Sequence, residues 1–139
     1  MAEMIQLDVV TPDRQVVSEK VEMVVCPGAE GEFGVLAHHI PFLSTLKAGE
    51  LRFTKEGRTE FLALTGGFAE VQPDKVTVLA DSAELAREID IDRAKKAREK
   101  AEERLSQAKA ASLEYTRAEA ALQRALARLR VAEKGLGSS

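Results

Sequence analysis

Two stripes of basic side chains are the residues of this sequence best placed for chemistry. Arg93 and Lys100 stand seven residues apart, two turns of a helix, and so share one face. Arg117, Arg124 and Arg128 follow at steps of seven and four and share a face of a second helix. Packed antiparallel, the two stripes could close around a polyphosphate, where charge-assisted hydrogen bonds are strong. Glu84 and Asp90 are acceptors for an amino group or a hydroxyl of the same ligand. Ala94 is small enough to let a flat ring lie against its helix. The same stripes also read as solvated helix faces, because Arg98 and Glu102 form an i,i+4 pair of the kind exposed helices carry. Both readings stay open on spacing alone.

Other chemistry finds less support. His38 and His39 are adjacent, and Cys26 is the one cysteine, whereas a zinc site wants three or four ligands. Cys26 reads as a small buried hydrophobe. Gly28, Gly31 and Gly34 recur at steps of three, but no Lys-Ser/Thr and no helix follow as a phosphate loop requires. The glycines therefore read as a bend. No Ser/His/Asp set has motif spacing, so neither a catalytic cofactor nor an enzyme is expected.

The elements that must carry the arginines are legible in the composition. The 139 residues carry 20 Lys+Arg and 23 Asp+Glu, a net charge of −3, with 45% hydrophobic residues. That is one domain, or one domain with an appendage. A single cysteine excludes a disulfide scaffold and favours a reducing compartment. No apolar run approaches the ~20 residues of a membrane-spanning helix, and Met1–Gln6 lacks the basic region of a signal peptide. The net charge does not point to nucleic acid. The totals conceal a division: residues 1–85 hold 7 basic and 14 acidic side chains, and residues 86–139 hold 13 and 9. All four prolines, all five phenylalanines and seven of the nine glycines fall in the first part, and 13 alanines in the second. The expected units are 1–85, 86–134 and a flexible tail at 135–139.

The first unit reads as short strands. Ile5, Leu7 and Val9 alternate with polar residues, and Thr11-Pro12-Asp13 is a turn. Val21–Cys26 reads as one strand. Leu51–Lys55 and Arg58–Leu64 make a hairpin around Glu56-Gly57, and Phe68–Val71 and Lys75–Ala80 make another. This spacing predicts an antiparallel sandwich or barrel. The second unit is helical. Ile91, Ala94, Ala97, Ala101, Leu105 and Ala108 form one stripe, and Tyr115, Ala118, Leu122, Ala125, Leu129 and Ala132 another. Alanine stripes allow close approach but bury little area, at ~0.8 kcal/mol per CH₂. The hairpin is therefore expected to be marginal. Its bend lies within Ser106–Tyr115, where no Gly or Pro enforces it and Ser112 can cap the second helix. The hairpin is expected to be able to open into a longer helix.

Three segments in order resemble the epsilon subunit of rotary proton-translocating ATP synthases. They are Gly31-Glu32-Phe33-Gly34-Val35 with His39-x-Pro41, Thr65–Val71 followed by Lys75–Ala80, and Arg124–Ala132. The resemblance implies an α+β chain: an N-terminal antiparallel β-sandwich of about ten strands, then a C-terminal antiparallel helical hairpin. It implies a non-catalytic rotor subunit, peripheral on the cytoplasmic face of the bacterial cell membrane. Its sandwich would sit against the gamma subunit and the membrane ring of c subunits, with Gly31, Glu32, Phe33 and His39 in the contact and Glu32 in a loop facing the ring. Its helices would extend toward acidic segments of the catalytic alpha and beta subunits and inhibit ATP hydrolysis. Ile89-Asp90-x-x-Arg93-Ala94 further resembles the motif of those epsilon subunits that bind ATP as a regulatory ligand on the folded hairpin. Carried over residue by residue, that site is Glu84, Ile89, Asp90, Arg93, Ala94, Arg124 and Arg128, with Lys100 where the family has an arginine and Arg98 two residues away. A lysine meets phosphate as a point charge, which weakens the site. A structural adaptor or inhibitor subunit that does not bind nucleotide is the alternative.

Overall fold

The computed structural model describes residues 3–137. Eight strands come first: β1 (Ile5–Val10), β2 (Gln15–Val21), β3 (Met23–Gly28), β4 (Gly31–Val35), β5 (Phe42–Lys55), β6 (Arg58–Val71), β7 (Lys75–Ala80) and β8 (Ala83–Leu85). A single 3-10 turn at Ala86–Glu88 leads into helices α1 (Ile91–Gln107) and α2 (Leu113–Gly137).

The strands run in the order β2-β1-β7-β6-β5-β3-β4, with β8 paired to β6. β5 and β6 are 14 residues each and pair with one another along their whole length, and β6 serves different partners along its other edge. The N-terminal part of β6 pairs with β8 through Leu62–Leu64, and its C-terminal part pairs with β7 from Gly67 to Val71. The described strands number eight against the expected ten or so, because β5 and β6 each run unbroken for 14 residues. One ladder is parallel rather than antiparallel: β1 lies on β7 with Leu7 opposite Val76. The sheet folds over on itself around Ile5, Leu7, Val9, Leu51, Phe53, Leu62, Leu64, Val76 and Val78, all at most 2% exposed. These are the inward positions of a period-two pattern, and their burial is the main stabilising term.

Local turn chemistry behaves as the residue types require. Glu56 and Gly57 both have positive φ, 52° and 77°, the two-residue turn whose twist matches its flanking strands. The Gly28–Gly34 stretch is the tight β3–β4 hairpin, with Gly28 opposite Gly31 and no helix after it. Val21–Cys26 is not one strand. Val21 pairs with Ile5 of β1, Met23 pairs with Thr54 of β5, and the chain changes ladders at Glu22.

Asp90 caps α1, accepting from Arg93 N–H at 3.1 Å. Ser112 caps α2, accepting from Tyr115 N–H at 3.1 Å. Between the helices Ala111 sits at φ 66°, a left-handed conformation that costs a Cβ-bearing residue ~1–2 kcal/mol. Ala94 and Ala101 of α1 and Ala118 and Ala125 of α2 are buried along the expected stripes. A second face of α2 is buried as well: Ala127 and Val131 are 1 and 0% exposed, the latter packing with Ala63 and Ile89. The hairpin is thus folded down on the sandwich through α2. α2 continues to Gly137, so Gly135–Gly137 end a helix rather than forming a tail. Residues 138–139 lie outside the described residues.

Candidate functional site

The folded hairpin and the sandwich enclose a cavity of about 760 Å³. β8 supplies Glu84, α1 supplies Arg93, Ala94 and Ala97, α2 supplies Arg124 and Arg128, and Asp90 stands at the head of α1. Six of the nine residues expected for nucleotide therefore meet in one place: Glu84, Asp90, Arg93, Ala94, Arg124 and Arg128. The remaining three do not. Ile89 is 8% exposed and packs into the small core with Val131. Arg98 reaches Glu102 at 3.9 Å along its own helix. Lys100 is exposed and lines no part of the cavity. Its seven-residue step from Arg93 keeps it on the same face but carries it ~10 Å along the axis, past Ala97, the last residue of α1 to line the cavity. Arg117 likewise lies outside. It borders a second cavity of about 660 Å³ near the hairpin bend, together with Arg104 and Arg124.

The charges of the main cavity balance, with four arginines and four carboxylates on its wall. Arg128 Nε donates to Glu84 Oε1 at 2.5 Å, tying α2 to β8. Arg14 Nη2 donates to Glu88 Oε1 at 2.8 Å, tying the turn after β1 to the 3-10 turn. That guanidinium holds the Glu88 carboxyl below its ordinary range, against a smaller opposing effect of burial. Arg93 and Arg124 make no ion pair among the described residues. The cavity thus offers two unengaged guanidiniums and two engaged ones, with Asp90 already occupied in part by its capping bond. Arg14 and Glu88 were not legible from spacing, because they are 74 residues apart and meet only through the fold.

The expected ring contacts lie on another part of the sandwich. Gly31, Glu32 and Phe33 belong to β4, an edge strand, so Glu32 is in a strand and not in a loop. The β3–β4 hairpin continues its register through Glu32, opposite Pro27. Arg52 donates to the Glu32 carboxylate at 3.0 Å. Phe33 packs edge-on against Phe42 with centroids 5.1 Å apart, and His39 packs against the same ring at 5.2 Å. Beyond them Leu36, Ile40 and Leu43 are exposed by 58, 78 and 74%. Phe68 and Leu79 are cross-strand partners, and both are exposed on the sheet face that carries Leu43. So much exposed apolar side chain on one sheet marks an interaction surface.

Among the described residues no other cluster of chemistry-bearing side chains competes with this cavity. No group of three His, Cys, Asp or Glu could hold a metal among the described residues. Cys26 is wholly buried, and burial pushes its thiol up to about 12. No described helix is long and apolar enough to cross a membrane.

Comparison with known proteins agrees with this architecture. Residues 4–86 match the family model of the ATP synthase delta/epsilon chain beta-sandwich domain, and residues 87–133 that of its long alpha-helix domain. The ATP synthase epsilon chain of Syntrophobacter fumaroxidans is 62% identical over 96% of this chain and 99% of its own length. That of Nitratidesulfovibrio vulgaris is 56% identical over 94% and 97%. Among solved structures, a chain of the Euglena gracilis mitochondrial ATP synthase assembly of OSCP, F1 and c-ring superposes with a TM-score of 0.78 at 27% identity. The match covers 98% of this chain and 83% of that one. A chain of the Tetrahymena thermophila mitochondrial ATP synthase central stalk and c-ring shares the fold at a TM-score of 0.62 and 13% identity. It covers 96% of this chain and 97% of that one.

Proposed function

The chain belongs to the ATP synthase delta/epsilon family, and from that premise we propose how its two parts divide the work of a central-stalk subunit. It is a non-catalytic subunit of the rotor stalk. The sandwich, residues 1–85, is the docking body. Its exposed Leu36, Ile40, Leu43, Phe68 and Leu79, with the β4 edge and His39, form the surface that meets the gamma subunit and the membrane ring. The chain then lies peripherally on the cytoplasmic face of the bacterial membrane and serves proton-driven ATP synthesis.

Residues 86–134 are a regulatory arm with two states. Folded, as here, the arm is withdrawn. Extended, its net positive helices reach acidic segments of the catalytic subunits and block hydrolysis. ATP holds the folded state by binding the cavity between hairpin and sandwich. A hundredfold preference for the folded form shifts the balance by ~2.7 kcal/mol. The observation that supports the reading is the convergence of Glu84, Asp90, Arg93, Ala94, Arg124 and Arg128 on one cavity. Titration calorimetry with ATP and with ADP tests it: heat that Arg93→Ala and Arg124→Ala abolish supports it, and no heat with the wild-type chain refutes it. Truncation after Glu88 tests the arm separately and is expected to raise hydrolysis by the assembled enzyme.

A nucleotide-independent arm is the second reading. The ion pairs Glu84–Arg128 and Glu50–Lys134 favour it, because they tie α2 to the sandwich through protein groups alone.

A further inference from the structure

We infer that Arg14, on the turn after β1 and outside both helices, is a ligand-contacting residue of the nucleotide cavity that leaves Glu88 for the phosphates when nucleotide binds. The inference rests on the ATP reading above and adds a residue that reading does not contain.

Four guanidiniums reach the cavity wall, and they come from three parts of the chain: Arg93 from α1, Arg124 and Arg128 from α2, and Arg14 from the sandwich. Arg14 is delivered there by a closed turn. Thr11 N–H donates to Arg14 C=O at 2.9 Å, and Thr11 Oγ1 accepts from the N–H groups of Asp13 and Arg14 at 3.3 and 3.2 Å. The same turn brings the Asp13 carboxylate to the wall, where a sugar hydroxyl rather than a phosphate is its natural partner. A triphosphate carries more charge than Arg93 and Arg124 can neutralise, so a further guanidinium must be drawn from a pair.

Two pairs are available, and they differ in what releasing them undoes. Arg128 holds Glu84 at 2.5 Å with both side chains about 30% exposed, and that pair fastens α2 to β8. Arg14 holds Glu88 at 2.8 Å with side-chain exposures of 47 and 32%. An ion pair that accessible contributes little, whereas a guanidinium fork binds phosphate bidentately. Glu88 is not stranded by the exchange, because its Oε1 keeps the Leu85 N–H at 2.9 Å. Nucleotide held by Arg14, Arg93 and Arg124 then fastens the sandwich to both helices at once.

The test is calorimetry of the full chain with ATP, comparing wild type, Arg14→Gln and Glu88→Gln. Arg14→Gln removes a donor and is expected to weaken ATP about tenfold. Glu88→Gln keeps an acceptor for Leu85 but frees Arg14 in advance, and is expected to tighten ATP about threefold. Opposite signs support the inference. A pair that merely supports the fold would make both variants bind more weakly, so a common sign, or no change in either, overturns it. Circular dichroism checks folding, and should Arg14→Gln unfold, the sign of Glu88→Gln decides alone. Wild-type binding with a common sign ends the Arg14 inference and leaves the ATP reading intact. No wild-type binding ends both.

Discussion

Arg128 Nε lies 2.5 Å from Glu84 Oε1, and through this one bond the second helix is tied to the last strand of the sandwich. Both side chains are about 30% exposed, so the pair is partly shielded from water. Glu84→Gln is expected to loosen the folded arm by about 1 kcal/mol. Urea unfolding at low and high salt measures it. Salt should weaken the wild type more than the variant, because one of the screened pairs is already gone.

Gly135 and Ala86 fix how closely α2 can lie on the 3-10 turn. A β-carbon at Gly135 would overlap the Ala86 side chain. Gly135→Ala is therefore expected to destabilise the folded arm by about 1–3 kcal/mol. Thermal unfolding should show the loss, and Ala86→Gly in the same chain should restore much of it. A variant as stable as the wild type would mean that the end of α2 moves aside freely.

Ala111 turns the chain between the helices at φ 66°. Glycine relieves that strain but adds freedom to the opened chain. Ala111→Gly is expected to stabilise the folded hairpin by about 0.5–1 kcal/mol net. A donor–acceptor pair on α1 and on the sandwich reads the folded fraction by energy transfer. The fraction should rise, and in the assembled enzyme inhibition of hydrolysis should fall with it.

Acid should release two contacts made by the β1–β2 hairpin. The Arg14 guanidinium holds Glu88 below its usual 4.5, and hydrogen bonds from Gln6 above all, then Ser18 and Lys75, hold Asp8 below its usual 3.8. A carboxyl depressed in the folded state stabilises it fully above the unfolded value and loses that contribution as pH falls through the folded one. Stability should therefore decline below about pH 4.5. Asp8→Asn should lower stability at pH 7 and flatten the acid limb, and Glu88→Gln should do so by less, because the Arg14–Glu88 pair is the more exposed of the two. An unchanged acid limb in both would place the acid sensitivity elsewhere.

Much of this architecture was legible in the linear sequence because its causes are local. Alternation at Ile5, Leu7 and Val9, the Glu56-Gly57 turn, the alanine stripes and the Ser112 cap each depend on residues within a turn or two of one another. Val21–Cys26 reads as one strand because every residue except Glu22 is apolar or sulfur-bearing, and nothing local says that the ladder changes at Glu22. Lys100 was placed with Arg93 because helical period sets the face but not how far along it a cavity extends.

By itself the sequence determined two units of opposite charge, strands before helices, the helix faces that meet each other and the stripes on which the arginines stand. Only the tertiary structure decided that β1 lies parallel to β7, that α2 buries a second face through Ala127 and Val131, that Gly135 seats on Ala86, and that Arg14 faces Glu88. Each of these joins residues far apart in the chain. Periodicity and turn chemistry act over a few residues, whereas such pairings are chosen by closure of the core, where the apolar faces of all the strands and both helices must be buried together.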